Sequence, residues 1–263
     1  MKLNIKNFFY KHRRKSFSYF KKIFNNTFWE DNVDNLYYGH YYILKKYSKT
    51  VLPFRINGEL QHGWSAHSGI TSLDLESTNN SLKLKRYYVF NDSNKKKCLE
   101  AGYENVVTIG APFLYLNSKK IFCEDQIAKS LILYPTHSHE WFEFLDPENT
   151  YKKYVNEIKK IMPIFTKVTV SLGWKEYKNK KIIDLFLKAG ISVVTSGHRD
   201  GNPNFLHKFI KNVNQHEYVS SDSFSSAIFY SLFLKKKVFI YGGIESKDEV
   251  WEIKKKANHH KFY

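Results

Sequence analysis

Short apolar runs alternate with longer helix-like segments through the second half of the chain. The runs are mostly unbroken, as expected for strands that are covered on both faces. They predict strands at residues 130–134, 167–172, 191–195, 216–220 and 238–241. Helices are predicted between them over residues 151–162, 179–189, 203–213 and 223–234. This alternation is typical of βαβ units and therefore predicts a parallel sheet with right-handed crossovers.

The first half of the chain alternates in the same way over a shorter length. A β-rich run at residues 50–56 ends at the turn signal formed by Asn57 and Gly58, and a loop is predicted over residues 58–69. Strands at residues 86–90 and 106–109 flank a predicted helix over residues 94–101. The fold class is therefore α/β, with two Rossmann-like lobes that face each other.

The domain boundary is expected in the irregular stretch over residues 117–127. We expect a basic aromatic segment over residues 1–29, an N-terminal lobe over residues 30–124 and a C-terminal lobe over residues 125–263.

The net charge narrows the range of partners. Lys and Arg total 42 and Asp and Glu total 25, which gives a formal net charge of +17. Such a surplus predicts nucleic acid, phosphate-bearing small molecules or an acidic membrane surface as partners. Basic and aromatic residues alternate before Glu30, the first acidic residue. That segment is interpreted as an amphipathic helix on anionic lipid, as a solvated basic helix packed through its aromatic residues, or as a segment that binds nucleic acid.

Composition excludes several classes of protein. Hydrophobic residues make up 42% of the chain, which is too many for a wholly disordered protein. The 2 cysteines, Cys98 and Cys123, allow neither a disulfide framework nor a four-cysteine zinc site. No run approaches the ~20 apolar residues that span a bilayer, and no signal-peptide pattern is present. We therefore expect a cytoplasmic protein whose membrane contact, if any, is peripheral.

Reactive side chains cluster where predicted strands end. Ligands of open α/β sheets bind beyond the carboxyl ends of the strands. Three polar segments of the C-terminal lobe follow such ends, and we expect them to converge on one edge of the sheet. They are residues 135–140, 195–200 and 220–226.

A serine cluster surrounds the start of the last predicted helix. Its members are Ser220, Ser221, Ser223 and Ser225. Hydroxyl groups and unpaired N–H groups at a helix N-terminus form an anion site, so we expect them to bind a donor phosphate. The alternative is that Ser221, Asp222 or Ser223 only caps the helix.

Two further strand ends carry candidates for nucleotide binding. Arg199 and His198 follow Gly197, and the planar guanidinium fork suits a phosphate. The alternative is an exposed loop with an Arg199–Asp200 surface pair. His137 and Ser138 are candidates for contact with the donor phosphate or the base. His137 and His139 invite a zinc interpretation, but no third ligand lies nearby, so no metal is expected.

His62 is the candidate general base of the N-terminal lobe. A neutral imidazole near pH 7 can take a proton from an acceptor hydroxyl. The alternative is a loop histidine that bonds to its own turn. Glu59 and His67 are reserve candidates for the base, and Trp64 is placed with them on the acceptor side.

Several segments together resemble a known family. They read ELQHGW, YYVFNDSNKKKCLEAGYENVVTIGAPFLY, LILYPTHSHE, VVTSGHRD and YVSSDSFSSAIFYSLFLKKKVFIYG. This pattern resembles bacterial capsule and lipopolysaccharide glycosyltransferases of the two-lobed GT-B type. More distantly it is similar to the CMP-sugar users (sialyl- and Kdo-transferases) and to CDP-glycerol glycerophosphotransferases.

The resemblance implies roles for matching residues. The serine cluster matches a turn that holds the donor phosphate, His137 or His198 matches a nucleotide-binding histidine, and His62 with Gly63 matches a candidate base. It also implies a nucleotide-sugar donor without metal or other cofactor and a glycan or lipid-linked acceptor. Because 263 residues are few for a GT-B enzyme, the N-terminal lobe is expected to be reduced, and the basic N-terminus is expected to hold the enzyme at the inner face of the cytoplasmic membrane.

Three functions remain open at this point. The leading one is an inverting, metal-independent glycosyltransferase that moves a sugar from a CMP- or UDP-type donor to a cell-surface polysaccharide or lipid-linked acceptor. The second is a CDP-alcohol glycerophosphotransferase. The third is a non-catalytic basic protein that binds nucleic acid or membrane, although no nucleic-acid-binding motif is recognised and nucleic acid is not the expected partner.

Overall fold

Two parallel β-sheets form the framework of this computed structural model, which describes residues 33–49, 55–64, 83–116, 126–138 and 144–243. The smaller sheet has the order β1-β2-β3. Its strands are β1 (Glu59–Leu60), β2 (Tyr87–Val89) and β3 (Val106–Thr108). Helix α1 (His40–Ser48) precedes β1, and helix α2 (Asp92–Glu100) connects β2 to β3. Short 3-10 helices cover Val33–Leu36 and Pro112–Tyr115.

The larger sheet has five strands in the order β6-β5-β4-β7-β8, all parallel. Its elements in chain order are β4 (Ile127–Tyr134), α3 (Pro147–Ile161), β5 (Lys167–Ser171), α4 (Lys180–Lys188), β6 (Ser192–Val194), α5 (Phe205–Asn214), β7 (His216–Ser221), α6 (Ser226–Phe233) and β8 (Lys237–Ile240). The chain winds outward from β4 to β6 and then returns to add β7 on the other side of β4. This is the doubly wound order, whose switch point lies between β4 and β7.

Local capping sets where the helices begin. The Asn91 side chain accepts a hydrogen bond from the Asn94 N–H at 2.8 Å, which starts α2. Asp146 accepts from the Asn149 N–H at 3.0 Å, and Pro147 then occupies the first position of α3. These caps satisfy N–H groups that have no partner inside the helix.

One apolar cluster joins the two sheets. Phe113, which follows β3, stacks on Tyr230 of α6 with ring centroids 4.1 Å apart. Phe90, at the end of β2, belongs to the same cluster as Ile132 of β4. The loops of the smaller sheet are therefore held against the larger sheet by shared burial, which positions side chains of both sheets side by side.

The predicted α/β alternation is confirmed, while several boundaries are wrong. Residues 59–60 form β1 inside the predicted loop over residues 58–69, and α3 begins at Pro147 rather than at residue 151. Helix α6 begins at Ser226 rather than at residue 223, because Asp222 and Ser223 turn toward the end of β4.

Parts of the predicted organisation lie outside the described residues. These are the segment over residues 1–29, most of the run at 50–56 and nearly all of the boundary stretch over 117–127. No helix in the part of the chain that the structure describes is both long and apolar enough to cross a bilayer.

Candidate functional site

Loops from both sheets meet along the carboxyl edge of the larger sheet. The Trp64 N–H, in the loop after β1, donates to the Ser226 hydroxyl at the start of α6 over 2.9 Å. A Cβ on Gly63 would lie 3.0 Å from that hydroxyl, so glycine allows the close approach. The loop that carries His62 is therefore anchored beside the larger sheet.

His62 lies against Arg199 at this junction. Nη1 of Arg199, in the loop after β6, is 3.4 Å from Nε2 of His62, although the two residues are 137 positions apart. The Tyr38 hydroxyl is 3.3 Å from the same nitrogen. The Tyr37 ring also packs nearly perpendicular to the imidazole, with centroids 4.4 Å apart. The exposed His62 is thus surrounded by side chains rather than bonded only to its own turn.

Arg199 is held by several contacts. Its guanidinium carbon lies 4.9 Å from the centre of the Tyr37 ring, and its Nε is 3.3 Å from Oδ1 of Asp200. Its carbonyl accepts a hydrogen bond from the Tyr38 N–H at 2.7 Å. The side chains of Arg199 and Asp200 are 11% and 12% exposed, so their pair is not the solvated surface pair of the alternative interpretation. We call Tyr37, Tyr38, His62, Arg199 and Asp200 the inter-sheet site.

His198 borders the inter-sheet site with a fixed orientation. Its Nδ1 accepts a hydrogen bond from the Asp200 N–H at 3.1 Å, so the proton of the neutral ring lies on Nε2. Its ring lies 4.2 Å from that of Trp174, and the Lys178 ammonium lies 4.8 Å from the centre of the Trp174 ring. Gly197 makes the turn before it at a φ of 88°.

The switch point between β4 and β7 is occupied by a carboxylate. Asp222 accepts from the Thr136 N–H at 2.9 and 3.0 Å and from the Thr136 hydroxyl at 3.0 Å. Burial raises the pKa of Asp222, while its hydrogen bonds with Thr136 act in the opposite direction. A phosphate at this point would meet a like charge and an N–H group that is already bonded.

A second carboxylate caps the same loop. Glu176, which is 3% exposed, accepts from the Ser138 N–H at 2.8 Å. Between this carboxylate and His137 lies Gly173, where a Cβ would come within 2.6 Å of Oε2 of Glu176 and 2.9 Å of Cγ of His137. The His137 Nδ1 lies 3.0 Å from the Ser138 carbonyl, to which it donates. Ser138 is buried, so its expected phosphate contact is not supported by its position.

The predicted serine cluster does not form the first turn of a helix. Ser221 ends β7 and its hydroxyl donates to the Tyr134 carbonyl at 2.6 Å, while Ser220 is fully buried within the strand. Ser225 occupies the N-cap position of α6 without a side-chain cap bond. Ser223 is exposed, and its hydroxyl lies 3.5 Å from that of Thr136. Simple capping by Ser221, Asp222 or Ser223 is also wrong, because α6 begins at Ser226.

The acceptor-side candidates occupy different environments. Glu59 lies on β1 rather than in the loop after it. Trp64 packs between Phe90 and Phe229, with ring centroids 5.9 and 5.1 Å away, so it joins the sheets. His67 and His139 lie outside the described residues.

Sequence reasoning missed four residues of this edge: Tyr37, Tyr38, Trp174 and Glu176. The strand-end rule, applied to residues 172–178 after the predicted strand at 167–172, would have found Trp174 and Glu176. Tyr37 and Tyr38 follow a 3-10 helix, and no strand end or motif marks them.

No protein-family model, curated protein or solved structure matches this chain. Among the described residues, no group of three or more His, Cys, Asp or Glu side chains is placed to hold a metal ion. The fold and the geometry of the carboxyl edge are therefore the basis for any functional proposal.

Proposed function

We propose that this protein is a glycosyltransferase that moves a sugar from a CMP- or UDP-type donor to a cell-surface polysaccharide or lipid-linked acceptor. The observation that carries the proposal is the 3.4 Å approach of Nε2 of His62 to Nη1 of Arg199 across the two sheets. A group that can accept a proton and a group that can bind a phosphate thereby share one site.

Arg199 has the role of the phosphate ligand. Its guanidinium is a planar cation with several donors, and its contact with the face of the Tyr37 ring helps to hold it in place. The Nε2–H of His198, the preceding residue of the same loop, is a second candidate donor. Together they stabilise the negative charge that develops on the leaving phosphate, which is the role of preorganised donors in a transition state.

His62 has the role of the general base. Its Nε2 takes the proton of the acceptor hydroxyl as that oxygen bonds to the anomeric carbon of the sugar. The bond from this carbon to the donor phosphate oxygen breaks, and its electron pair stays on the phosphate beside Arg199. Attack opposite to the leaving group inverts the anomeric carbon, and neither step uses a metal ion.

The loop after β4 supports the placement of the phosphate at Arg199, because two of its N–H groups already have carboxylate partners. The N–H groups of Thr136 and Ser138 are bonded to Asp222 and Glu176. They are therefore not donors for a phosphate at the switch point, whereas the guanidinium is held at the junction of the sheets. Ser223 is the exposed serine of the predicted cluster, and its hydroxyl lies 3.5 Å from that of Thr136, so it is the member best placed to contact a ligand at this edge of the sheet.

The net charge of +17 fits an acceptor at a membrane. An anionic cytoplasmic leaflet attracts clustered Lys and Arg, so residues 1–29 would bring the enzyme to lipid-linked glycans. This part of the proposal makes the protein cytoplasmic and peripheral.

A nucleotide panel tests the proposal. CMP, CDP, UDP and GDP are titrated into the purified protein, with and without a chelator, while the midpoint of thermal unfolding is recorded. A ligand at 100 times its Kd stabilises the folded state by about 2.7 kcal/mol, so binding is visible as a shift. Arg199→Ala should abolish the shift, while Arg86→Ala, at the exposed end of the smaller sheet, should keep it.

Turnover assays with CDP-glycerol and nucleotide sugars, and binding assays with DNA and anionic vesicles, run beside the panel, separate the rival functions. Turnover of CDP-glycerol without turnover of any nucleotide sugar would favour a CDP-alcohol glycerophosphotransferase. No nucleotide shift together with tight, steeply salt-dependent binding to DNA or anionic vesicles would favour a non-catalytic basic protein.

A further inference from the structure

Tyr38 adopts a backbone conformation that bulky L-residues rarely adopt. Its φ is 54°, and the following Gly39 has a φ of 78°. Left-handed backbone at a non-glycine residue is strained and concentrates at functional sites. A Cβ on Gly39 would lie 2.8 Å from the Asn202 carbonyl, so this turn presses closely on the loop after β6.

This conformation places two consecutive tyrosine rings around His62. The ring centroids of Tyr37 and Tyr38 lie 4.4 and 5.3 Å from that of the imidazole. In an extended strand, consecutive side chains would point in opposite directions. The Tyr38 N–H also donates to the Arg199 carbonyl at 2.7 Å, so one residue contacts both His62 and the backbone of Arg199.

The donors around His62 define which ring nitrogen carries the lone pair. The Arg199 guanidinium has N–H groups and no acceptor. Its 3.4 Å contact with Nε2 of His62 therefore requires an unprotonated Nε2, and the Tyr38 hydroxyl, 3.3 Å from the same atom, then donates as well. Two donors at Nε2 place the proton of the neutral imidazole on Nδ1.

We propose that Tyr38 is a positioning residue that, together with Arg199, fixes His62 as its Nδ1–H tautomer and holds the Nε2 lone pair toward Arg199. The use of Nε2 as a base rests on the proposed transferase, whereas the position of the proton does not. When the donor phosphate binds the Arg199 guanidinium, the acceptor hydroxyl replaces Arg199 as the hydrogen-bond donor to Nε2 of His62.

Nitrogen NMR of the imidazole rings tests the tautomer without any substrate. The protein is labelled with ¹⁵N-histidine, and the signal of His62 among the 11 histidines is assigned by its loss in His62→Gln. At neutral pH we expect a protonated Nδ1 and an unprotonated Nε2 at His62. A protonated Nε2 in the wild-type protein would overturn the proposal.

Tyr38→Phe removes the hydroxyl and keeps the ring. The His62 signals should then move toward a mixture of tautomers, while Tyr47→Phe, far out on α1 and exposed, should leave them unchanged. Signals in Tyr38→Phe that equal those of wild type would show that the hydroxyl does not set the tautomer.

Activity gives a separate readout once a donor is found. Tyr38→Phe should lower kcat by about fivefold or more, the effect of one hydrogen bond, with little change in KM. An unchanged kcat would contradict the positioning role. Absence of nucleotide binding would contradict the proposed function and would not affect the NMR result on the tautomer of His62.

Discussion

Asp222 and Thr136 join the carboxyl ends of β7 and β4 through the backbone N–H and the hydroxyl of the threonine, across 86 residues of sequence. They do so at the switch point of a doubly wound sheet, where this architecture commonly binds its ligand. The protein thus places its own carboxylate where an anionic ligand would otherwise lie, and the phosphate site of the proposed enzyme is displaced toward Arg199.

Asp222→Ala should lower the free energy of unfolding by about 2 kcal/mol, because it leaves the Thr136 N–H without its acceptor. Asp222→Asn keeps one acceptor oxygen and should cost less than half of that. Urea unfolding at pH 7 measures both. Equal losses in the two variants would mean that the carboxylate charge itself, rather than its acceptor geometry, holds the loop.

The contribution of Asp222 to the pH dependence of wild-type stability is opposite to the usual behaviour of a salt-bridged carboxylate. Burial raises the pKa of Asp222, so the folded state binds its proton more tightly than the unfolded state. The wild type therefore loses stability from this group as pH rises from about 4 through the raised value. Relative to wild type, Asp222→Asn should gain stability over that window. A difference that stays constant with pH would contradict the raised pKa.

Gly173→Ala tests the second capped N–H group. The new Cβ would lie 2.6 Å from Oε2 of Glu176 and would push this carboxylate away from the Ser138 N–H. We expect a loss of about 2–3 kcal/mol in the free energy of unfolding, as for other overpacked and unpaired buried groups. Gly243→Ala is the matched control, since no atom of the described residues beyond its chain neighbours lies within 4 Å of its Cβ position. Equal stabilities of the two variants would show that the loop around Gly173 accommodates the added methyl group without breaking the Glu176–Ser138 hydrogen bond.

The regular elements of the larger sheet follow from local sequence. The apolar residues 131–133 of β4 and the alternation of Val168 and Val170 with polar residues in β5 predict strands, and Asn179 marks the start of α4 because its side chain caps it. The start of α6 does not follow in this way. Several serines in residues 220–226 are equally good caps, and the choice is made by the contact between Asp222 and the end of β4.

The candidate site was predictable only in its parts. The strand-end rule located His198 and Arg199 in one loop, and the chemistry of the imidazole singled out His62 in another. It did not give the contact of His62 with Arg199, because that contact depends on the packing of one sheet against the other over 137 residues of separation. Strand β1 was missed because its two residues carry no pattern and are stabilised by pairing with β2.

His40 should make the protein sensitive to acid. It is 1% exposed on α1, and neither ring nitrogen has a hydrogen-bond partner in the described structure. Burial lowers the pKa of His40 to about 3. In the unfolded state His40 becomes protonated below about pH 6.5, whereas in the folded state it stays neutral down to about pH 3. The free energy of unfolding therefore falls as pH drops below about 6.5, with a slope approaching about 1.4 kcal/mol per pH unit.

His40→Phe should remove this dependence. Between pH 7.5 and pH 5 the variant should lose about 2 kcal/mol less stability than wild type, whatever its stability at pH 7.5. His207→Gln, at an exposed position, should change the slope much less. Parallel stability curves for wild type and His40→Phe would show that His40 does not stay neutral in the folded protein.

Two serine hydroxyls of α6 differ in their hydrogen bonding, and only that of Ser226 contacts the loop that carries His62. The Ser226 hydroxyl accepts the Trp64 N–H, so Ser226→Ala should cost about 1 kcal/mol and loosen the loop that carries His62. Ser231, on the same helix, has a fully buried hydroxyl without a partner in the described structure, so Ser231→Ala should be neutral or stabilising. Amide hydrogen exchange at Trp64 measures the local effect. Unchanged protection in Ser226→Ala would mean that the aromatic packing of Trp64 alone holds His62 against Arg199.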